Sequence, residues 1–310
     1  MDYEIIKMNF QTAIHVGKMR LVDAENTISS DTIFSALCVE ATGSQDHNQI
    51  DQLVAMAKED KIRISDAMPF FNDIYYIHKP LISTERKNSG DSEEKKLIKK
   101  LKYLPADKID EYLKGRLDLK REVKFQGTMG ETEIRTMVKI EEQNDSEPYS
   151  VGAYWFNNGW GLYVVLGFEG DSERKLVEEL FCSLGYSGIG GKRASGLGRF
   201  SVHVENNVKG IFGKRLTKAG TGNKYILIST ALPKDEEMDE VIKEAKYQIK
   251  KRSGFVYSGS YSQSPQKKRD FYAFQGGSVF EKTFDGVVAD VSVNGTHPVY
   301  RYAKPLFLEV

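Results

Sequence analysis

An α+β fold of two sheet-and-helix sandwiches is what this 310-residue sequence predicts, on three observations. The chain is longer than one small core organises, so two domains are expected. The N-terminal part closes with the order strand, strand, helix, glycine-rich loop, strand, which matches the end of a ferredoxin-like (RRM-like) βαββαβ unit. The remainder again runs strand, helix, strands. The expected domains therefore span residues 1–205 and 206–310, both ferredoxin-like, with no sequence identity between halves that marks a repeat.

Taken in order, "YEIIKMNF" reads as a first strand and "GKMRLVDAENTISS" as a polar connection. A helix follows with Ser30 or a neighbour as N-cap; Ile33, Phe34, Leu37 and Cys38 share one face and Gly43 stops it. "KIRISDAMPFF" and "DIYYIHKP" read as further strands. Residues 86–124 are lysine-rich and resemble an insertion more than a core element, within an inserted region around 83–143. "PYSVGAYWF" and "GWGLYVVLGF" read as strands paired with each other, the second apolar enough to be central. In "DSERKLVEELFCSLG", Asp171 or Ser172 caps a helix striped by Leu176, Val177, Leu180, Phe181 and Leu184. Gly185 falls where its C-terminus wants a left-handed residue.

"RFSVHV" alternates as a strand, and "KYILISTAL" opens the second half. "EEMDEVIKEAKYQIKKR" reads as a helix with Met238, Val241, Ile242, Ala245 and Ile249 inward. Acids fill its first turn and Lys250, Lys251 and Arg252 its last, complementing the helix dipole. "GFVYSGSY", "DFYAFQGGSVF", "GVVADVSV" and "PVYRYAKPLFLEV" supply the remaining strands. Trp155 and Trp160 lie in strands and are read as core.

Charge is unevenly placed. The net charge is zero, but residues 185–275 carry 17 Lys/Arg against 8 Asp/Glu, whereas residues 1–184 carry 24 against 32. Such asymmetry suggests a polyanion on one face and a protein partner on another. No run approaches the roughly 18 apolar residues of a membrane span. "MDYEIIKMNF" lacks the basic-then-apolar order of a signal peptide. The two cysteines, Cys38 and Cys182, fall in expected helices and read as core thiols, which favours a reducing cytoplasm.

The stretch "GYSGIGGKRASGLGRF", residues 185–200, holds six glycines, one lysine and two arginines. Bare backbone lets N–H groups approach an anion closely. The mononucleotide fingerprint fails, because Arg193 follows Lys192 where Ser or Thr is needed and Tyr186 stands at the earlier glycine. The dinucleotide fingerprint fails too, since Arg193 replaces its third glycine and a helix, not a strand, precedes the loop. A plain turn would need two glycines; six interleaved with Lys192, Arg193, Ser195 and Arg199 point to a phosphate backbone.

In that position "GIGGKRASGLGRF" resembles the signature loop of the RAMP superfamily, the repeat-associated RNA-binding proteins of CRISPR systems. "AIHVGK" with "ISSDTIFSAL", "YYIHKPL" with "LKYLP", "EPYSVGAYWF" before "GLYVVLGF", and "KKRSGFVYS" with "DFYAFQGGSVF" and "HPVYRYAKPLFLEV" resemble one member family in order. That family is the fourth subunit of the Csm series in type III-A effectors, and the likeness covers nearly the whole chain. It implies two RRM-like domains, binding of the crRNA 5′ repeat-derived tag, and association with the large polymerase–cyclase subunit and the backbone RAMP subunits. It also implies a thumb-like insertion against the guide–target duplex, expected within residues 116–143, with strand-like arms in "KFQGTMGETEIRTMVKI" and Gly127 and Gly130 turning the chain.

The expected RNA contacts are Gly188, Gly190, Gly191, Lys192, Arg193, Ser195, Gly196, Gly198 and Arg199 in the loop. His15 and Lys18 in "IHVGK", Lys79 before Pro80, and Arg252, Ser253, Gly254 and Phe255 are expected along the same path. Each has a bland alternative: His15 as a hydrogen-bonded histidine closing a strand, Lys79 as an exposed lysine, Arg252 and Gly254 as helix-end residues. Tyr257 and Tyr261 read either as base-stacking platforms or as sheet packing. His47, His78, His203 and His297 show no ligand spacing and the cysteines complete no zinc set, so neither metal nor cofactor is expected. The leading reading is a non-catalytic RNA scaffold. A type III-B tag-binding subunit and a processing endoribonuclease using His15 as general base stand as alternatives.

Overall fold

The structure is a computed structural model, and it describes residues 1–17, 20–43, 48–84, 92–141, 144–213, 215–217 and 222–310. β1 (Asp2–Phe10) is followed by α1 (Ser30–Gly43), α2 (Gln49–Lys58), β2 (Ile62–Ile64), β3 (Met68–Phe71) and β4 (Ile74–His78). Then come α3 (Ser92–Lys100), β5 (Tyr103–Pro105), α4 (Ile109–Leu113), α5 (Leu119–Gln126), β6 (Gly130–Glu141) and β7 (Asn144–Phe156). β8 (Trp160–Phe168), α6 (Asp171–Ser187) and β9 (Phe200–Glu205) complete the first half. The sheet order is β5-β4-β3-β8-β1-β9, with β2 also paired to β8. Counting β2 and β3 as one strand, β9, β1, β8 and β3 are the fourth, first, third and second strands of a ferredoxin-like unit. All of their pairings are antiparallel.

Strand alternation explains why β8 is apolar throughout. Leu162, Val164 and Leu166 join Ile6 and Met8 under α1, α2 and α6. Tyr163 and Val165 join Ile5 on the opposite face, where Ile226, Ile228, Leu306 and Leu308 from the second half cover them. A strand buried on both faces has no polar position to spare. The two halves therefore share one core.

The second half comprises α7 (Val208–Phe212), β10 (Leu216–Thr217), β11 (Tyr225–Leu227), α8 (Asp235–Val241) and β12 (Ile249–Arg252). β13 (Phe271–Phe274), β14 (Val279–Phe280), β15 (Val287–Asp290), β16 (Tyr300–Ala303) and β17 (Phe307–Glu309) follow. A sheet of order β10-β17-β11-β14 stands beside two-stranded pairs β12-β13 and β15-β16. Tyr225, Leu227 and Phe307 point away from the shared core into a cluster with Phe274, Phe280 and Phe284. Tyr302 of β16 stacks on Phe34 of α1 at 5.2 Å, both fully buried; each such side chain contributes about 1.5–3 kcal/mol.

Several local expectations are corrected. β7 pairs with β6, not β8, because both edges of β8 are taken by β1 and by β2 and β3. The inserted ribbon therefore runs from Gly130 to Phe156, past the expected limit at 143. Its expected first arm is instead α5, capped by Asp118, whose carboxylate accepts the Arg121 N–H (3.0 Å). The helix expected over 236–252 stops at Val241. Residues 249–252 instead pair with β13, so Lys250, Lys251 and Arg252 complement no helix dipole. Gly185 lies inside α6, where a Cβ would sit 2.6 Å from the Phe200 carbonyl oxygen; the left-handed residue is Gly188, φ 85°. "GFVYSGSY" forms no named strand, only a bridge from Phe255 to Lys267. Cys182 is exposed, not core, while burial pushes the Cys38 thiol up to about 12. Trp160 is core, whereas Trp155 is half-buried at the ribbon base, donating to Glu133 at 2.7 Å.

Candidate nucleic-acid interface

The glycine loop is fixed by two apolar pins. Ile189 is fully buried in the helical core, and Leu197, 2% exposed, packs with Ala13 and Ala153. Each pin is flanked by glycines at positive φ: Gly188 (85°) and Gly190 (95°), then Gly196 and Gly198 (81° each). The pins are tied together by the Ile189 N–H to the Gly198 carbonyl (2.9 Å), and to the segment after β1 by Gly198 N–H to Ala13 (2.8 Å) and Gly191 N–H to His15 (2.8 Å). Between them, residues 190–196 bow outward around a short 3-10 turn at Arg193–Ser195. Lys192 is also left-handed, φ 62°. Among the described residues, the N–H groups of Gly190, Lys192, Arg193 and Ala194 donate to no backbone carbonyl. Bare amides on a stiff bow form an anion-binding concavity.

The loop's cations differ in how they are held. Lys192 Nζ donates to the Tyr149 hydroxyl (2.8 Å) and lies 4.5 Å from that ring's centroid, so this partner is neutral and no carboxylate among the described residues compensates its charge. Arg193 reaches Glu40 Oε1 and the Gly188 carbonyl (3.3 Å each) and stacks on Tyr257 at 4.9 Å. Glu40 also accepts from Ser183 (2.8 Å) and Ser187 (2.6 Å). Arg193 thus staples the loop to α1 and α6 with its charge balanced. Arg199 and Ser195 are exposed; the Arg199 N–H is held by the Thr12 hydroxyl (3.0 Å), and its guanidinium has no carboxylate partner among the described residues.

The remaining expected residues divide. His15 is 7% exposed, and its Nδ1 donates to the Gly152 carbonyl (2.6 Å), so it bridges loop and ribbon as a buried structural histidine. Lys18 and His47 lie outside the described residues. Lys79 turns inward, donating to the Ile98 carbonyl, and burial lowers its ammonium pKa. Arg252 is drawn to buried Asp31, which accepts from its Nε (3.0 Å) and Nη2 (2.8 Å) and also from Arg301. The Ser253 carbonyl accepts from Arg301 (3.3 Å), and Gly254, φ 136°, has open space where a Cβ would go. Phe255 and Tyr257 are 56% and 71% exposed, next to the loop through the Arg193 stack. Tyr261 is buried and closes a turn through Val293, so it is packing.

The sequence reading missed Glu40 and Tyr149, which hold the loop from positions 153 and 43 residues away; no local pattern marks them. Among the described residues no group of three or more His, Cys, Asp or Glu could hold a metal ion, and no helix is long and apolar enough to cross a membrane.

Residues 7–201 match the model of the RAMP superfamily, and residues 220–310 that of the CRISPR Csm4 C-terminal domain. The CRISPR system Cms protein Csm4 of Mycobacterium tuberculosis (strain CDC 1551 / Oshkosh) is 35% identical over 309 residues, covering 99% of this chain and 98% of that protein. Its namesake from Streptococcus thermophilus is 35% identical over 319 residues, covering 100% and 99%. Among solved structures, the Csm3–Csm4 subcomplex of the type III-A CRISPR-Cas interference complex superposes with a TM-score of 0.67 at 17% identity, over 99% of both chains. The Csm1–Csm4 cassette in complex with cA4 gives 0.61 at 19% identity, over 99% and 98%. On full-length identity and both family models, the chain belongs to the Csm4 family of the RAMP superfamily.

Proposed function

We propose that the chain is a non-catalytic RNA-binding subunit of a cytoplasmic type III-A CRISPR effector, with domains over 1–205 and 206–310. It holds the crRNA 5′ tag and joins the large polymerase–cyclase subunit to the backbone RAMP filament, its β6-β7 ribbon set against the guide–target duplex. The observation that carries this reading is the outward bow of residues 190–196, whose amides at 190 and 192–194 meet no backbone acceptor among the described residues, beside Lys192 and Arg199, which no described carboxylate compensates, and exposed Phe255 and Tyr257. Amides and cations suit phosphates, and the two rings suit unstacked bases. Family membership supports the partners, because relatives are found in Csm3–Csm4 and Csm1–Csm4 assemblies. His15 favours a scaffold over a nuclease through its burial, which keeps the ring from an RNA substrate.

Labelled repeat RNA incubated with the pure protein without metal tests this directly. Binding without site-specific cuts is expected. Cuts abolished by His15→Ala would replace the scaffold with an endoribonuclease.

A further inference from the structure

The ribbon and the glycine loop are joined at their bases. Ile14 and Tyr154 exchange backbone bonds (2.9 and 2.8 Å), the Gly152 N–H reaches the Leu21 carbonyl (2.8 Å), and Ala153 packs with Leu197, the loop's second pin. A Cβ at Gly152 would lie 2.1 Å from the Val22 carbonyl oxygen, so β7 is pressed onto this segment. His15 ties both partners, its side chain bonding Gly152 and its carbonyl Gly191. Beyond that base the ribbon stands clear. Ile134 and Val138 on β6 are 63% and 54% exposed, and Glu147, Pro148 and Ser150 on β7 are exposed too. Tyr149 sits among them half-buried, where Lys192 reaches out from the bow to its hydroxyl and ring.

That contact leaves Lys192 with capacity to spare. An ammonium carries three N–H donors, and among the described residues only the Tyr149 hydroxyl accepts from Lys192 Nζ. A free lysine samples many rotamers, and ordering it opposes phosphate binding. A lysine already aimed by a hydroxyl and a ring needs less ordering, so the ribbon preorganises the loop's cation. By linkage, whatever fixes Lys192 on the loop also favours the ribbon position in which Tyr149 meets it.

We propose that Tyr149 is a positioning residue: from the ribbon it aims the Lys192 ammonium at a phosphate on the bow, and so couples RNA occupancy of the loop to the seating of the ribbon. The proposal rests on the RNA-binding reading above. Its test is a double-mutant cycle in the full chain, read by fluorescence anisotropy on single-stranded RNA carrying only the repeat-derived 5′ segment. Tyr149→Phe removes the hydroxyl and keeps the ring; it should weaken binding roughly 2- to 10-fold, the worth of one hydrogen bond. In Lys192→Ala, where Arg199 and the bow amides remain, the same substitution should change nothing further. A merely structural tyrosine would weaken both backgrounds alike. That result, or full affinity in Tyr149→Phe, overturns the positioning role while leaving the loop's RNA binding intact. Amide exchange reads the reverse direction: the same RNA should slow exchange at residues 149–152 in wild type and not in Lys192→Ala. Equal slowing in both, or none in wild type, overturns the coupling. Absence of any RNA affinity in wild type overturns the RNA-binding reading itself, and the role of Tyr149 with it.

Discussion

Gly196 and Gly198 share φ 81° but not their surroundings, and that makes a matched pair of substitutions decisive about how the loop is held. An alanine at Gly196 meets nothing within 4 Å, so Gly196→Ala should cost only the left-handed penalty, about 1–2 kcal/mol. At Gly198 the new Cβ would sit 2.0 Å from the Ile189 carbonyl oxygen and 2.8 Å from its nitrogen, backbone atoms that no rotamer change can move. Relief requires breaking the Ile189–Gly198 and Gly198–Ala13 hydrogen bonds, about 1 kcal/mol each. Lifting buried Ile189 from the core adds roughly 1.5–3 kcal/mol. Gly198→Ala should therefore cost about 4–7 kcal/mol. Urea unfolding gives the comparison, and amide exchange at Ile189 and Gly198 shows whether the loss is local. Equal destabilisation of the two variants would refute the argument that close approach, rather than φ alone, builds the loop.

Other outcomes follow from the buried charges. Burial first, then the neighbouring Glu178 carboxyl, raises the Glu4 carboxyl to about 8. A folded value above the unfolded one means that stability is full below about 4.5 and falls as pH rises toward 8, by an order of a few kcal/mol. Unfolding midpoints against pH should show that slope in wild type and lose it in Glu4→Gln. Burial works to raise the Asp31 carboxyl, but Arg252 and Arg301 outweigh it and hold it below the usual range. Asp31→Asn should cost about 3–5 kcal/mol in urea unfolding, because buried Arg301 and half-buried Arg252 lose their carboxylate. Arg193→Ala should loosen the loop, seen as faster amide exchange at Gly188 and Gly196, while leaving the salt dependence of RNA binding nearly unchanged, since Glu40 already balances that charge.

Strand and helix periodicity made the first ferredoxin-like unit legible from β1 through β9, down to the central placing of β8. Pairing partners were less legible. "PYSVGAYWF" alternates well, but whether it pairs with the next strand or the previous one depends on which edges of β8 are free, and that is set by β3, almost a hundred residues upstream. The acid-to-base polarity of 236–252 imitates a helix, yet cross-strand pairing to Phe271–Phe274 and the pull of Asp31 on Arg252 win. In the loop, glycine content announced positive φ, and four of the six glycines adopt it. The division of labour between Lys192 and Arg193 was invisible, because a tyrosine and a glutamate from distant elements decide it.

The central claim is that the loop binds RNA through phosphates, and its most direct measurement is the salt dependence of single-stranded RNA affinity in Lys192→Ala/Arg199→Ala. Both removed charges are uncompensated by any described carboxylate, and every glycine is kept. If each neutralises one phosphate, the slope of log affinity against log salt should shrink by about 0.7 per contact, roughly 1.4 for the pair. Tag and scrambled RNA should weaken alike, since phosphate contacts position without specifying. An unchanged slope, with only the discrimination between the two RNAs lost, would mean that the loop reads bases and would contradict the account.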